Sequence, residues 1–281
     1  MAGPRSNPRS KLSDPGSVEA LVCDLDGVVY RGPTAVPHAV EVLSRIDVPV
    51  IYATNNASRA PDEVVAHLRE LGLSVSADQV VTSAQAGAAV LAERLPGARV
   101  LAVGGDGVGL ALEEAGLVAV PTADRVEAVL QGYGPGVRAS DLAEAAYAVA
   151  AGAWWVATNT DATIPNERGI APGNGALVGA VERAVGRAPD RVVGKPHPDL
   201  YVVAAARLGV PPERILAVGD RLDTDIEGAV TAGLPSVLVL TGVDSRDRGE
   251  QAPANRRPDK IIEDLRGLRG LVPMSEDAPL L

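Results

Sequence analysis

Leu21-Val22-Cys23-Asp24-Leu25-Asp26-Gly27-Val28-Val29 opens as a short apolar run and carries two aspartates one residue apart, followed by a glycine. The apolar residues predict a buried strand that delivers both carboxylates to a turn at the edge of a sheet. Charge is costly in such a place. Carboxylates withdrawn from bulk water need a partner, and a hard divalent cation is a natural one. Alone, an Asp-x-Asp-Gly string is also what a turn former beside a helix cap looks like, so the rest of the chain has to decide.

Working outward, the same design recurs. The apolar run 50–53 ends in Thr54-Asn55-Asn56-Ala57-Ser58-Arg59, 191–193 leads into Gly194-Lys195-Pro196-His197-Pro198, and 215–218 closes on Gly219-Asp220, with Asp223 and Asp225 just beyond. Between these runs lie segments of helical period, such as Val64, Leu68 and Leu71 before Gly72. Apolar runs alternating with helical segments predict an α/β protein with a Rossmann-like parallel sheet. Ser83 is read as the cap of a helix running to about residue 95, and Asp223 or Thr224 as the cap of a helix that contains Ile226 and Ala229. A long polar stretch from Asn159 to Gly175 is read as a functional loop. The glycines at 104–109 are not a dinucleotide fingerprint, because no acidic residue follows a second strand at the required distance. In open α/β sheets the carboxyl ends of the strands form the ligand crevice, so four polar strand ends far apart in sequence can converge on one place.

Composition narrows the partners. The chain has 281 residues, 46% of them hydrophobic, enough for a sizeable core. Its net charge of −10, from 36 acidic and 26 basic residues, argues against a nucleic-acid partner. Phenylalanine is absent and aromatics total 2%, so aliphatic side chains fill the core and stacking on bases is a poor recognition mode. Cys23 is the single cysteine, which excludes an intrachain disulfide, reads as a buried thiol and suits a cytoplasmic location. No apolar run reaches the ~18 residues of a membrane span. The first 16 residues, rich in Pro, Ser, Gly, Arg and Lys, read as a disordered lead.

Taken in order, Asp24-Leu25-Asp26-Gly27, Thr54-Asn55-Asn56, Lys195-Pro196 and Gly219-Asp220 with Asp225 resemble the four motifs of the haloacid dehalogenase-like hydrolase superfamily, over about residues 18 to 270. The insertion between the second and third motifs, with Thr158-Asn159-x-Asp161 and Pro172-Gly173-Asn174-Gly175, looks like the α/β cap of its phosphatase branch, which contains nucleotide, phosphoglycolate, glycerol-phosphate and pyridoxal-phosphate phosphatases. The stretches 132–135, 159–165 and 220–233 resemble actinobacterial glycerol 3-phosphate phosphatases. Ile164 stands where the pyridoxal-phosphate enzymes carry a histidine. The resemblance divides the chain into a lead (1–16), a discontinuous catalytic core (17–82 plus 190–270), a cap domain (83–189) and a tail (271–281).

The resemblance implies a magnesium-dependent phosphomonoester hydrolase in which Asp24 attacks phosphorus to form an aspartyl-phosphate. Asp26 would protonate the leaving alcohol and then activate water. Mg2+ would be held by the Asp24 carboxylate, the Asp26 carbonyl and Asp220, with Asp225 orienting those ligands or Lys195. Thr54 and the amides of Asn55 and Asn56 would hold the phosphoryl oxygens, and Lys195 would supply positive charge. Asn159, Asp161 and Ile164 would read the leaving group. The implied substrate is a small phosphorylated metabolite, with glycerol 3-phosphate ahead of 2-phosphoglycolate and a nucleoside monophosphate, and the implied assembly a homodimer through the cap. A phosphotransferase or mutase would keep all of these residues and differ in whether water reaches the aspartyl-phosphate. A binding protein on a degenerate version of the fold would have lost Asp24, Asp26 or Lys195, and none is lost.

Overall fold

The computed structural model describes residues 17–166 and 168–275. The lead expected at 1–16 and the tail residues 276–281 lie outside the described residues. The chain forms two compact units. One runs to Tyr52, takes in Leu71–Ser74 and resumes at Ala205; the other comprises Ala53–Glu70 and Val75–Ala204. The second unit therefore holds residues 53–70, 75–82 and 190–204 together with the 83–189 insertion.

In the first unit, strands Ala20–Cys23, Ile215–Gly219 and Ser236–Val239 are buried at every position, the mark of parallel strands covered on both faces. Within this unit the strand order is Lys260–Ile262, Ser236–Val239, Ile215–Gly219, Ala20–Cys23 and the start of Val50–Thr54, each neighbouring pair parallel. The chain starts in the middle and moves to one side, then returns to build the other. Strand order thus reverses between Ala20–Cys23 and Ile215–Gly219, the kind of switch point outside whose carboxyl ends α/β proteins bind ligands. Asp24 and Asp220 are the next residues after those two strands.

Two local expectations are corrected in this unit. Neither Asp223 nor Thr224 caps a helix: residues Leu222–Ile226 form a π-type turn that runs directly into helix Glu227–Ala232, so the aspartates lie inside the turn. Gly233, at φ +81°, ends that helix. The start of the expected tail is docked, with Leu271 and Val272 buried and Met274 bridged to Ile46.

The second unit has its own parallel sheet, in the order Arg191–Val192, Trp154–Ala157, Ala128–Gln131, Arg99–Val103, Val118–Val120. Its core gathers Trp155, Leu101, Val129, Val149, Val178 and their neighbours. Trp155 is fully buried, and its indole N–H donates to Gln131 Oε1 at 3.0 Å, so the bulkiest core residue leaves no stranded donor. Helix Ser83–Arg94 is capped by Thr82 rather than Ser83: Thr82 Oγ1 accepts from the Gln85 amide and Gln85 Oε1 accepts from the Thr82 amide, both at 3.2 Å. The glycine cluster serves packing. A Cβ on Gly105 or Gly107 would lie 2.4 Å from the carbonyl oxygen of Ser58 or Arg59.

The stretch expected as a long loop contains a hairpin, Thr163–Asn166 against Gly169–Pro172. Pro165 and Pro172 made it read as irregular, yet a two-stranded ribbon has an outer edge on each strand where a missing N–H costs nothing. Helix Asn174–Val185 follows, closed by Gly186 at φ +75°. Parallel sheets flanked by helices in both units bear out the α/β class, and no helix among the described residues is long and apolar enough to cross a membrane.

Candidate active site

The first unit brings three carboxylates together. Oxygens of Asp24, Asp220 and Asp225 all lie within 4.8 Å of one another. Asp220 and Asp225 are 2% and 3% exposed, and Asp24 is half-buried. Sheet register sets the first pair: Cys23 stands opposite Val218, and the Asp24 amide donates to the Val218 carbonyl at 2.9 Å. Asp225 comes back to the same point through the π-type turn, where its Oδ2 accepts the amides of Asp220 at 3.2 Å and Arg221 at 3.1 Å. Gly219 permits that return, since a Cβ there would sit 2.2 Å from Asp225 Cβ.

Like charges this close repel, so the cluster needs fixed donors or a cation. Backbone amides supply part of this. Asp220 Oδ2 accepts from the Val243 amide at 2.8 Å, and the Asp244 amide donates to the Asp220 carbonyl at 3.1 Å. A Cβ on Gly27 would come within 2.5 Å of Asp220 Oδ2, and one on Gly242 within 1.8 Å, so two glycines clear the space around that carboxylate. Gly27 also has φ +84°, which leads the chain from Asp26 into the turn. Asp26 is exposed. The neighbouring Tyr52 adds no charge, because burial pushes its phenol up, with Cys23 opposing ionisation further. Asp223 points elsewhere. Burial acts to raise its carboxyl, but the Arg221 guanidinium, bonded at 3.1 Å, holds it below the usual carboxylate range.

Three buried oxygen donors fit a hard divalent cation such as Mg2+, which takes carboxylate and carbonyl oxygens in preference to nitrogen or sulfur.

The second unit assembles a different group. Lys195 is 4% exposed, and its Nζ donates to the Ala53 carbonyl at 3.4 Å. Thr54 is 4% exposed, and its Oγ1 accepts the Asn56 amide at 3.0 Å, so its own O–H can donate elsewhere. Asn55 is bonded to Lys195 and to Asp161 Oδ2. Asn159 donates to the Asn55 carbonyl at 2.8 Å and accepts the Asp161 amide at 3.1 Å. Asn174, from the Pro172-Gly173-Asn174-Gly175 motif, donates to the Asn159 carbonyl at 2.7 Å. Gly173 and Gly175 let that motif pack, since Cβ atoms there would be 2.3 and 2.2 Å from the carbonyl oxygens of Asp161 and Thr160.

The expected residues thus form two groups, Asp24, Asp220 and Asp225 in one unit and Thr54, Asn55, Lys195, Asn159 and Asp161 in the other. Asn56 turns its side chain to Ser58, at 2.9 Å to the amide and 2.7 Å to the hydroxyl. Ile164 is half-buried in the hairpin, opposite Ala171. Sequence reading missed Asp244, which is 5% exposed; its Oδ2 accepts the Leu222 amide at 2.7 Å and its other oxygen pairs with Arg248. A signal was available. Thr241-Gly242-Val243-Asp244 follows the Ser236–Val239 strand as a fifth polar strand end.

Comparison with known proteins identifies the family. The family described as haloacid dehalogenase-like hydrolase matches residues 21–118, and one described as HAD-hydrolase-like matches 192–268. The chain is 50% identical over 252 residues to the D-glycerol 3-phosphate phosphatase of Mycobacterium tuberculosis, covering 89% of this chain and 70% of that one. It is 38% identical over 228 residues to an acid sugar phosphatase of Staphylococcus aureus, covering 80% and 87%. Among solved structures, the glycerol phosphate phosphatase of M. tuberculosis in complex with magnesium superposes with a TM-score of 0.86 at 49% identity, covering 91% of this chain and 77% of that one. The p-nitrophenyl phosphatase of Archaeoglobus fulgidus gives 0.82 at 31%, covering 89% and 97%. The two matched stretches contain the very strands that end in Asp24 and Asp220, and on identity as on fold the chain belongs to the haloacid dehalogenase-like hydrolase family.

Proposed function

We propose that this enzyme is a magnesium-dependent phosphomonoester hydrolase acting through an aspartyl-phosphate on a small phosphorylated metabolite, glycerol 3-phosphate first among the candidates. The observation that carries the reading is the Asp24, Asp220, Asp225 cluster at the switch point of the sheet. Its relatives are named as phosphatases. The substrate choice rests on the name of the 50% identical relative and on the cap motifs.

In this reading Asp24 is the nucleophile, and covalent capture splits one hard displacement into two easier ones. Asp26, exposed at the turn where it can meet a leaving group, gives a proton to the departing alkoxide. As a carboxylate it then takes one from the water that attacks the aspartyl-phosphate at phosphorus, which frees inorganic phosphate and restores Asp24. Thr54 and the amides after it bind the phosphoryl oxygens, and Lys195 offsets their charge. Asp24, Asp220, Asp225 and the Asp26 carbonyl would hold Mg2+, whose charge neutralises developing negative charge on the phosphoryl group when bound. Asn159, Asp161 and Ile164, carried by the inserted segment, select the leaving group.

Release of inorganic phosphate with magnesium tests the reading. Glycerol 3-phosphate is expected to give a higher kcat/KM than 2-phosphoglycolate or a nucleoside monophosphate. A hundredfold preference for either rival would overturn the substrate, and phosphate release only when a second acceptor alcohol is supplied would replace the hydrolase with a phosphotransferase.

A further inference from the structure

Asn55 makes a set of bonds that a substrate ligand would not need. Its side-chain Oδ1 accepts the Lys195 amide at 2.8 Å, and its Nδ2 donates to the Lys195 carbonyl at 3.0 Å. A primary amide that engages both the N–H and the C=O of one residue acts as a neighbouring peptide unit would, and fixes that residue's backbone. The other N–H of Nδ2 goes to Asp161 Oδ2 at 3.3 Å. The main chain of Asn55 is held as well: its carbonyl accepts from Asn159 Nδ2 at 2.8 Å and from Ser83 Oγ at 2.6 Å. Asn159 in turn accepts the Asp161 amide, so the residues 55, 159 and 161 close a ring. Close approach is built in, because a Cβ on Gly194 would lie 2.8 Å from Asn55 Oδ1 and 2.4 Å from the Thr158 carbonyl oxygen.

We propose that Asn55 is a positioning residue whose side-chain amide couples the 159–161 segment to the placement of Lys195. The inference rests on the phosphatase reading, in which Lys195 serves the phosphoryl group. Its consequence is directional: a leaving group held by the segment shifts Asn55, and through it the cation, without Asn55 touching the phosphoryl group by its side chain. Orientation errors near one ångström are enough to change rates by orders of magnitude.

A double-mutant cycle tests this. Binding of inorganic phosphate is measured by calorimetry with magnesium present, for Asn55→Ala, Lys195→Ala, Asp161→Asn and the pairs. Asn55→Ala is expected to weaken phosphate by about tenfold in the wild-type background and by less than about twofold in Lys195→Ala, since groups acting as a unit are not additive. Asp161→Asn is expected to weaken it by a few-fold, an effect that disappears in Asn55→Ala; this arm decides if Lys195→Ala binds too weakly to titrate. Equal factors in both backgrounds, or no effect of Asn55→Ala at all, would overturn the proposal. If Asn55→Ala does not fold, Gly194→Ala approaches the same amide from the other side and should reproduce the pattern. A wild-type chain that releases phosphate from monoesters but shows additive cycles defeats the coupling alone, whereas one that neither binds nor releases phosphate defeats the functional reading and the coupling with it.

Discussion

The two polar groups are built on opposite plans. Around Asp220 three like charges crowd together and are held apart by backbone amides and by glycines that leave no room for a Cβ. Around Asn55 one cation is framed by side-chain amides bonded to the neighbouring backbone, with the Asp161 carboxylate among their partners. Charge repulsion makes the first group dependent on steric clearance and on a cation. The second carries charges of both signs and is redundant, so loss of one bond leaves others in place. Substitutions that move the three carboxylates themselves should therefore damage chemistry more than stability, and those near the second group should shift binding and stability together.

Short of removing the nucleophile, Gly242→Ala gives the largest expected effect. Its Cβ would fall 1.8 Å from Asp220 Oδ2, so the carboxylate has to move. We expect kcat to fall by about a hundredfold and the magnesium concentration for half-activity to rise, measured by phosphate release across a magnesium titration. An unchanged magnesium requirement would break the link between clearance and the cluster.

Asp244→Ala comes next. It leaves the buried Leu222 amide without its 2.7 Å acceptor, at a cost of about 1–3 kcal/mol, readable by denaturant unfolding. Its sequence signal was a fifth polar strand end and nothing more. Strands 20–23 and 215–219 could be read at once, because an apolar run ending in an aspartate has few ordinary explanations when it occurs twice. Asp244 follows a Thr-Gly-Val turn, where an aspartate is an ordinary turn residue, and its burial is what separates it from the others. The hairpin at 163–172 was hidden by its prolines, and the π-type turn at 222–226 by aspartates that resemble caps. Thr54, Lys195 and Asp161 were legible as strand ends and motif residues. Their linkage through Asn55 was not, because side-chain amide geometry leaves no periodicity in the sequence.

In the second group, Asn159→Ala removes a donor to the Asn55 carbonyl and an acceptor for the Asp161 amide. A loss of about 1–2 kcal/mol is expected, with KM for a phosphomonoester rising more than kcat falls. A pure kcat loss would make this group resemble the acidic one and erase the contrast.

The smallest effect lies outside both groups. Asp264 caps the Leu265–Leu268 turn, accepts the Arg266 amide at 2.9 Å and pairs with the Arg266 guanidinium, which holds its carboxyl below the usual range. A depressed folded-state pKa means that its contribution is present above the unfolded value near 3.9 and is lost as pH falls through the folded value. Asp264→Asn keeps a capping side chain and removes only the charge, so it should lower stability by about 0.5 kcal/mol at pH 7, and the gap from wild type should close in acid. A gap that persists unchanged down to pH 2 would remove charge from the account of this cap.

Phosphate release from glycerol 3-phosphate by wild type and Asp24→Asn, with magnesium present and both proteins shown to be folded, tests the central claim most directly. The account predicts turnover by wild type and a loss of at least about a thousandfold in Asp24→Asn, which keeps the size of the side chain and removes the nucleophilic carboxylate. Retained turnover in Asp24→Asn would contradict it.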